Sequence, residues 1–117
     1  MPNGHLLQVN DDSFDKLVVN SDLPVLVAFG APFCDTCISV DRLQDIAKDR
    51  LDVLFAYMDV EANSGTPRKY QFHGIPRVML FAGKGASEPL AVEIGEMKWG
   101  DIAAFIDANL PATIPSP

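Results

Sequence analysis

Hydrophobic and polar positions along this chain follow two periods, and each change of period marks an element. Residues 5 to 9, HLLQV, read as a short strand. NDDSFDKLVVNS changes to helical spacing: Phe14, Leu17 and Val18 share a face, Asp12 is placed to cap the start, and Asp15 lies in the first turn. Residues 24 to 29, PVLVAF, are an unbroken apolar run between a proline and a glycine, the pattern of a strand buried on both faces. From CDTC to Leu51 the spacing is helical again. Cys37, Val40, Leu43, Ala47 and Leu51 form one apolar stripe with Ile46 beside it, and Arg42, Asp45, Lys48 and Asp49 fall on the wet side. DVLFAYMDV, residues 52 to 60, reads as a second buried strand, and NSGTPRKYQF as a short polar helix or irregular turn. VMLF, 78 to 81, is a strand; a GKG turn leads to LAVEI, 90 to 94, the next strand. A last helix from Trp99 to Leu110 puts Ile102, Phe105, Ile106 and Leu110 on one face.

The order is β α β α β α β β α. Strands joined through helices run parallel, and the close final pair runs antiparallel. The expected architecture is α/β: a central mixed β-sheet flanked by helices on both faces. Of the 117 residues, 48% are hydrophobic, enough for one core, so residues 1–110 are expected to form one domain. PATIPSP, 111–117, carries three prolines and is expected to be a flexible C-terminal tail.

Charge narrows the partners. Sixteen acidic residues face nine basic ones, for a net charge of −7, and no basic cluster is present. A nucleic-acid or anionic-membrane surface is therefore not expected. The first residues, MPNGHLLQVNDD, lack a basic stretch followed by an apolar run, and no apolar segment approaches a membrane span. The expected location is cytoplasmic, and the expected assembly is a monomer.

The candidate chemistry sits in FCDTC, which holds both cysteines of the chain, Cys34 and Cys37. In a reducing compartment such a pair performs transient redox chemistry or binds metal more often than it staples a fold. Zinc takes about four ligands, and the other candidates are His5 and His73. The predicted helix would place Cys34 at its N-terminus, where free N–H groups and the helix dipole favour a thiolate. Cys37 would lie one turn on, deeper but within reach. An exposed attacking thiol beside a shielded one is the arrangement of dithiol exchange. Asp35 disfavours a neighbouring thiolate, whereas the Thr36 N–H offers it a donor. Pro76, in GIPR, precedes a strand; proline alone makes a cis bond cheap, but trans is tolerated at a strand start and is the form the residues by themselves favour.

On these motifs the chain resembles the thioredoxin family. VLVAFGAPFCDTC resembles the family's strand followed by WCGPC. YQFHGIPRVMLF resembles its cis-proline segment, and VEIGEMKWGDIAAFIDANL its last strand, glycine and terminal helix. The resemblance spans about residues 5 to 110 and implies a thioredoxin fold. It implies a thiol–disulfide oxidoreductase that reduces protein disulfides through Cys34–Cys37, without a cofactor or metal. Its partners would be disulfide-containing proteins and a thioredoxin-reductase-type electron donor. Alternatives are a thiol oxidant or isomerase, and a redox-sensing binding module without turnover. Carried over by position, Cys34 is the nucleophile, Cys37 the resolving cysteine and Pro76 the cis-proline. Gly74 and Ile75 would contact an extended substrate segment, and Gly95 would lie on its rim. The departures are equally specific. Phe33 and Gly30 stand in place of tryptophans, Asp35-Thr36 in place of Gly-Pro, and Arg42 in place of a helix-kinking proline. Ala28 occupies the position of a buried aspartate that serves the resolving cysteine, and Tyr57 that of a nearby lysine.

Overall fold

The computed structural model describes residues 6–35, 37–72, 74–97 and 99–110, Trp99 by its backbone alone. Strand β2, Val25–Gly30, is buried at every residue, as its unbroken apolar run requires. It lies between β3, Leu54–Asp59, which is parallel to it, and β4, Arg77–Phe81, which is antiparallel. Strand β1, Leu6–Gln8, adds in parallel beyond β3, and β5, Ala91–Ile94, adds antiparallel beyond β4. The sheet order is β1-β3-β2-β4-β5. This is the mixed sheet expected from the helical crossovers and the close final strand pair.

Alternation along β2 divides the core in two. Val25, Val27 and Phe29 point to one face with Ala56, Met58, Met79 and Phe81. That face is covered by Phe14, Val18 and Val19, and by Tyr70 and Phe72 at its edge. The rings interlock edge to face: Phe14 on Phe81 at 5.5 Å, Tyr70 on Phe81 at 5.7 Å, and Phe29 on Phe72 at 4.6 Å between centroids. Leu26, Ala28, Phe55, Val78 and Leu80 point to the other face, under Leu43, Ile46 and Ala47 of α1 (Val40–Asp49) and Ile102 and Ile106 of α3 (Trp99–Asn109). Ile46 and Ile102 are almost wholly buried; cutting either to alanine should cost about 2–5 kcal/mol.

Three local expectations are corrected. The early helix is a single π-helical turn, Asp15–Val19, in which Asn20 N–H donates to Asp15 C=O at 2.9 Å. Asp12 does not cap it. Asn10 Oδ1 accepts from Ser13 N–H at 2.8 Å and Ser13 Oγ accepts from Asn10 N–H at 3.0 Å, so a local side-chain turn holds this entry. Leu51 leaves the apolar stripe and is 56% exposed, because α1 ends at Asp49. Beyond that end Arg50 donates to Asp52 at 3.0 Å and pairs with Asp107 of α3 at 2.9 Å. The hydrogen bond to Asp52, with the charges of both carboxylates, raises the Arg50 pKa against the opposing effect of burial.

The ambiguous stretch after β3 contains α2, Gly65–Lys69. Its first N–H groups are satisfied from across the chain: Asp11 accepts from Gly65 N–H at 2.9 Å and Thr66 N–H at 2.7 Å. No helix among the described residues is long and apolar enough to cross a membrane. The expectations for His5, Thr36, His73 and the 111–117 tail fall outside the described residues.

Candidate active site

Strand β2 delivers the cysteine pair. Beyond Gly30 the chain turns through Ala31-Pro32-Phe33-Cys34, and Cys34 N–H donates to Ala31 C=O at 3.1 Å. Pro32 sits second in this four-residue turn, where its fixed φ is favourable. The turn tip presents Phe33, which is 68% exposed. Cys34 and Cys37 are joined by a disulfide, with their Cα atoms 5.5 Å apart.

The helix expected to begin at Cys34 begins at Val40. Ser39 is its cap: the residue is extended, and its Oγ accepts from Arg42 N–H at 3.2 Å. Serine competes for the backbone in this way and sets a boundary that the apolar stripe does not reveal. Arg42 supplies that donor; a proline at this position would have none. Cys34 therefore lacks the helix N-terminus assigned to it. Both cysteines are half-buried in the closed disulfide. The closed disulfide places them in the same loop.

They differ in what lies beneath. A side chain built on Gly30 would meet Tyr57 Oη at 3.1 Å and Cys37 Sγ at 3.2 Å. Gly30 thus leaves room for the tyrosine ring and the sulfur to approach the backbone of β2. Register places Ala28 between Tyr57 of β3 and Val78 of β4. Cys37, Ala28, Tyr57, Pro76, Gly95 and Met97 line a cavity of about 10 Å³, close to the room of one water. Burial, with the nearby charge of Asp59, pushes the Tyr57 hydroxyl pKa up, so at neutral pH this hydroxyl is a hydrogen-bond donor.

The Ile75–Pro76 peptide bond is cis. Pro76 C=O accepts from Gly95 N–H at 2.9 Å. Gly95 holds φ at +106°, a conformation that disfavours a side chain. Gly74 and Asp35 are exposed, and Ile75 is half-buried against the core. The structure thus gathers Ala28, Cys37, Pro76 and Gly95 around one cavity, with Gly30 and Tyr57 at its edge. Phe33 and Asp35 lie on the outer side of the cysteine loop. Two contributors lie outside the sequence reading, Ser39 and Met97. The signal for Met97 is an apolar side chain in the otherwise polar stretch GEMK. Among the described residues no group of three or more His, Cys, Asp or Glu side chains is arranged to hold a metal ion.

Comparison with known proteins agrees with this arrangement. The family model for thioredoxin matches residues 5–108. The thioredoxin of Pseudomonas aeruginosa is 34% identical over 108 residues, covering 91% of this chain and 97% of the relative. That of Acidithiobacillus ferridurans is 35% identical, covering 90% and 96%. That of Rickettsia bellii is 41% identical over 104 residues, covering 87% and 96%. With a cysteine pair closing at the end of β2 beside a cis-proline, and a match along nearly its whole length, the chain belongs to the thioredoxin family.

Proposed function

We propose that this protein reduces disulfide bonds in substrate proteins by dithiol–disulfide exchange at Cys34 and Cys37. The Cys34 thiolate attacks a substrate disulfide. The substrate S–S bond breaks, one substrate sulfur leaves and takes up a proton, and the other is held in a mixed disulfide with Cys34. Cys37 then loses its proton and attacks the Cys34 sulfur, releasing the second substrate thiolate. The substrate has gained two electrons, and the protein carries the Cys34–Cys37 disulfide. A thioredoxin-reductase-type donor returns the electrons. The exchange needs no organic cofactor and no metal. We place the working protein in the cytoplasm as a monomer.

The observation supporting these roles is the position of Cys37, over Gly30 and against the small cavity that Cys34 does not line. A sulfur there acts on a partner already attached to its neighbour. Its proton must leave from a poorly solvated place, where family members use a carboxylate and this chain has Ala28. Tyr57, whose protonated hydroxyl also approaches Gly30, is placed to offer a donor to the forming thiolate. Phe33, Gly74 and Ile75 form the rim for an extended substrate segment. Because the Pro76 carbonyl is taken by Gly95, backbone pairing with substrate falls to Gly74 and Ile75.

The start of α1 bears on direction. A stabilised thiolate makes a strong oxidant, because it favours the reduced form. Cys34 lies ahead of the helix and beside Asp35, so its thiolate gains little of that stabilisation. This favours a reductant, with a potential nearer the about −270 mV of thioredoxin than the about −120 mV of a dedicated oxidant. Insulin-disulfide reduction, with a chemical reductant supplying electrons, tests turnover. Many turnovers are expected, with none for Cys34→Ser and a trapped mixed disulfide for Cys37→Ser. A single stoichiometric reaction would instead identify a redox sensor.

A further inference from the structure

Arg77 opens β4 directly after Pro76. It shares strand parity with Met79 and packs on Phe72, it also borders the small cavity under Cys37, and the residue is only 7% exposed. Its guanidinium carbon stands 4.2 Å from the centroid of the Phe72 ring. Its Nε is enclosed and has no hydrogen-bond partner among the described residues. No carboxylate among the described residues forms an ion pair with it. Arg50 is the contrast, gripped by Asp52 and Asp107. In a chain with 16 acidic residues, a largely buried guanidinium without a carboxylate is out of place. A ring face returns less than the desolvation of such a charge costs. Desolvation accordingly lowers the Arg77 pKa, with no neighbouring anion to offset it.

The groove beside Arg77 has room for a ligand, about 320 Å³. Lys69, Tyr70 and Gln71 form one wall, and Ser87 and Glu88 the other. Lys69 brings a second cation, held loosely at 4.0 Å from Asp15 and 5.5 Å from the Tyr70 ring. Tyr70 Oη donates to Ser87 C=O at 2.8 Å and ties the two walls together. Glu88 is the opposing charge; it is exposed and forms no ion pair with Arg77 or Lys69.

We propose that this groove is an oxyanion-binding site, with Arg77 as its anchor, Lys69 as its second cation, and a carboxylate or phosphate as its ligand. Phe72 holds the guanidinium plane fixed, which prepares the fork for a planar or tetrahedral oxyanion. The ligand supplies the negative partner that the fold withholds. The groove does not include the cysteines, although Arg77 also borders the cavity under Cys37, and binding there requires no turnover.

The test follows the Arg77 Nε–H resonance and the melting temperature of the oxidised full chain. Inorganic phosphate and a short capped Asp-Glu peptide are titrated against chloride at matched ionic strength. A saturable shift of the Arg77 resonance and a rise in melting temperature are expected with at least one probe. A response to phosphate alone identifies a free-anion site; a stronger response to the peptide identifies the carboxylate of a protein segment. Arg77→Met is expected to melt no lower than wild type without anion, and to bind at least about tenfold more weakly. An unmoved Arg77 resonance with both probes overturns the proposal, as does an undiminished response in Arg77→Met. If that variant does not fold, the wild-type resonance still decides. Insulin reduction by the same preparation reports separately on the disulfide chemistry.

Discussion

Tyr57 Oη and Cys37 Sγ converge on one point above Gly30, the hydroxyl 3.1 Å and the sulfur 3.2 Å from where a side chain there would begin. The phenol and a sulfur of the disulfide therefore border a space walled by Ala28, Pro76 and Met97. Since burial and the charge of Asp59 keep the phenol protonated, toward a Cys37 thiolate in the reduced protein it can act as a donor and not as the base. A hydrogen bond to a charged group contributes about 1.5–3 kcal/mol. Tyr57→Phe is therefore expected to slow mixed-disulfide resolution about tenfold near pH 7. The deficit should close at alkaline pH, where Cys37 ionises unaided. Stopped-flow decay of a mixed disulfide across pH 6 to 9 measures both; a deficit independent of pH would point to lost packing instead.

Restoring a carboxylate beneath Cys37 tests the other half of the site. Ala28 is 3% exposed and borders a cavity of about 10 Å³. Ala28→Asp is expected to speed resolution near neutral pH by giving the Cys37 proton an acceptor. The same change should destabilise the oxidised fold by about 2–3 kcal/mol, because the acid finds at most the Tyr57 hydroxyl as partner. Urea unfolding reads the second effect. Decay rates and pH profiles equal to wild type would show that another group already serves as base.

Gly30→Ala is expected to cost about 1–3 kcal/mol, because Tyr57 and Cys37 must both yield to the new methyl. Removing the hydroxyl relieves the tighter of the two contacts. The double variant with Tyr57→Phe should therefore lose less than the sum of the singles. A double-mutant cycle by denaturant unfolding checks this, and strict additivity would place the strain elsewhere.

Asp11 carries a pH prediction. Burial raises its pKa, but the Gly65 and Thr66 N–H groups and the Thr66 side chain outweigh that, and the net shift is downward from 3.8. A carboxyl lowered in the folded state contributes stability that is present above its unfolded pKa. That contribution is lost as pH falls through the folded value. Asp11→Ala is expected to cost about 1 kcal/mol at pH 7, the usual worth of a helix cap. The gap between variant and wild type should narrow below pH 4 as Asp11 protonates. Thermal melts from pH 7 to pH 2 test it; a constant gap would assign the loss to something other than the charge.

The strands were legible because burial on one or both faces writes itself into alternation and apolar runs. PVLVAF runs into the central strand β2 and VMLF lies in the adjacent interior strand β4. The cysteine pair was legible from its spacing and its place after β2. The start of α1 was not. Cys37 continues the apolar stripe of α1 backward, and only the Ser39 hydroxyl bond to Arg42 shows that the helix has not yet begun. Asp12 and Asp11 illustrate a different limit. Both are capping residues by type, but Asp11 caps a helix more than fifty positions away in sequence, across a contact no local window contains. The meeting of Tyr57 with Cys37 is hidden for the same reason, since it depends on the pairing of β2 with β3.

Arg50 draws the end of α1 to α3 through Asp107. The other end of α1 follows the cysteine loop, and α3 follows Gly95 and Met97, which wall the cavity. The two helices are thus tied by charge at their far tips and by the buried side chains of Leu43, Ile46, Ile102 and Ile106 along the rest, with Ile38 and Met97 packed on the same cluster at the Cys37 end. Asp52 and Asp107 remain 57% and 68% exposed, so dissolved salt weakens the tie. Ionic strength thus acts on the far end of the helix pair, while the end beside Cys37 rests on apolar burial that dissolved salt does not screen.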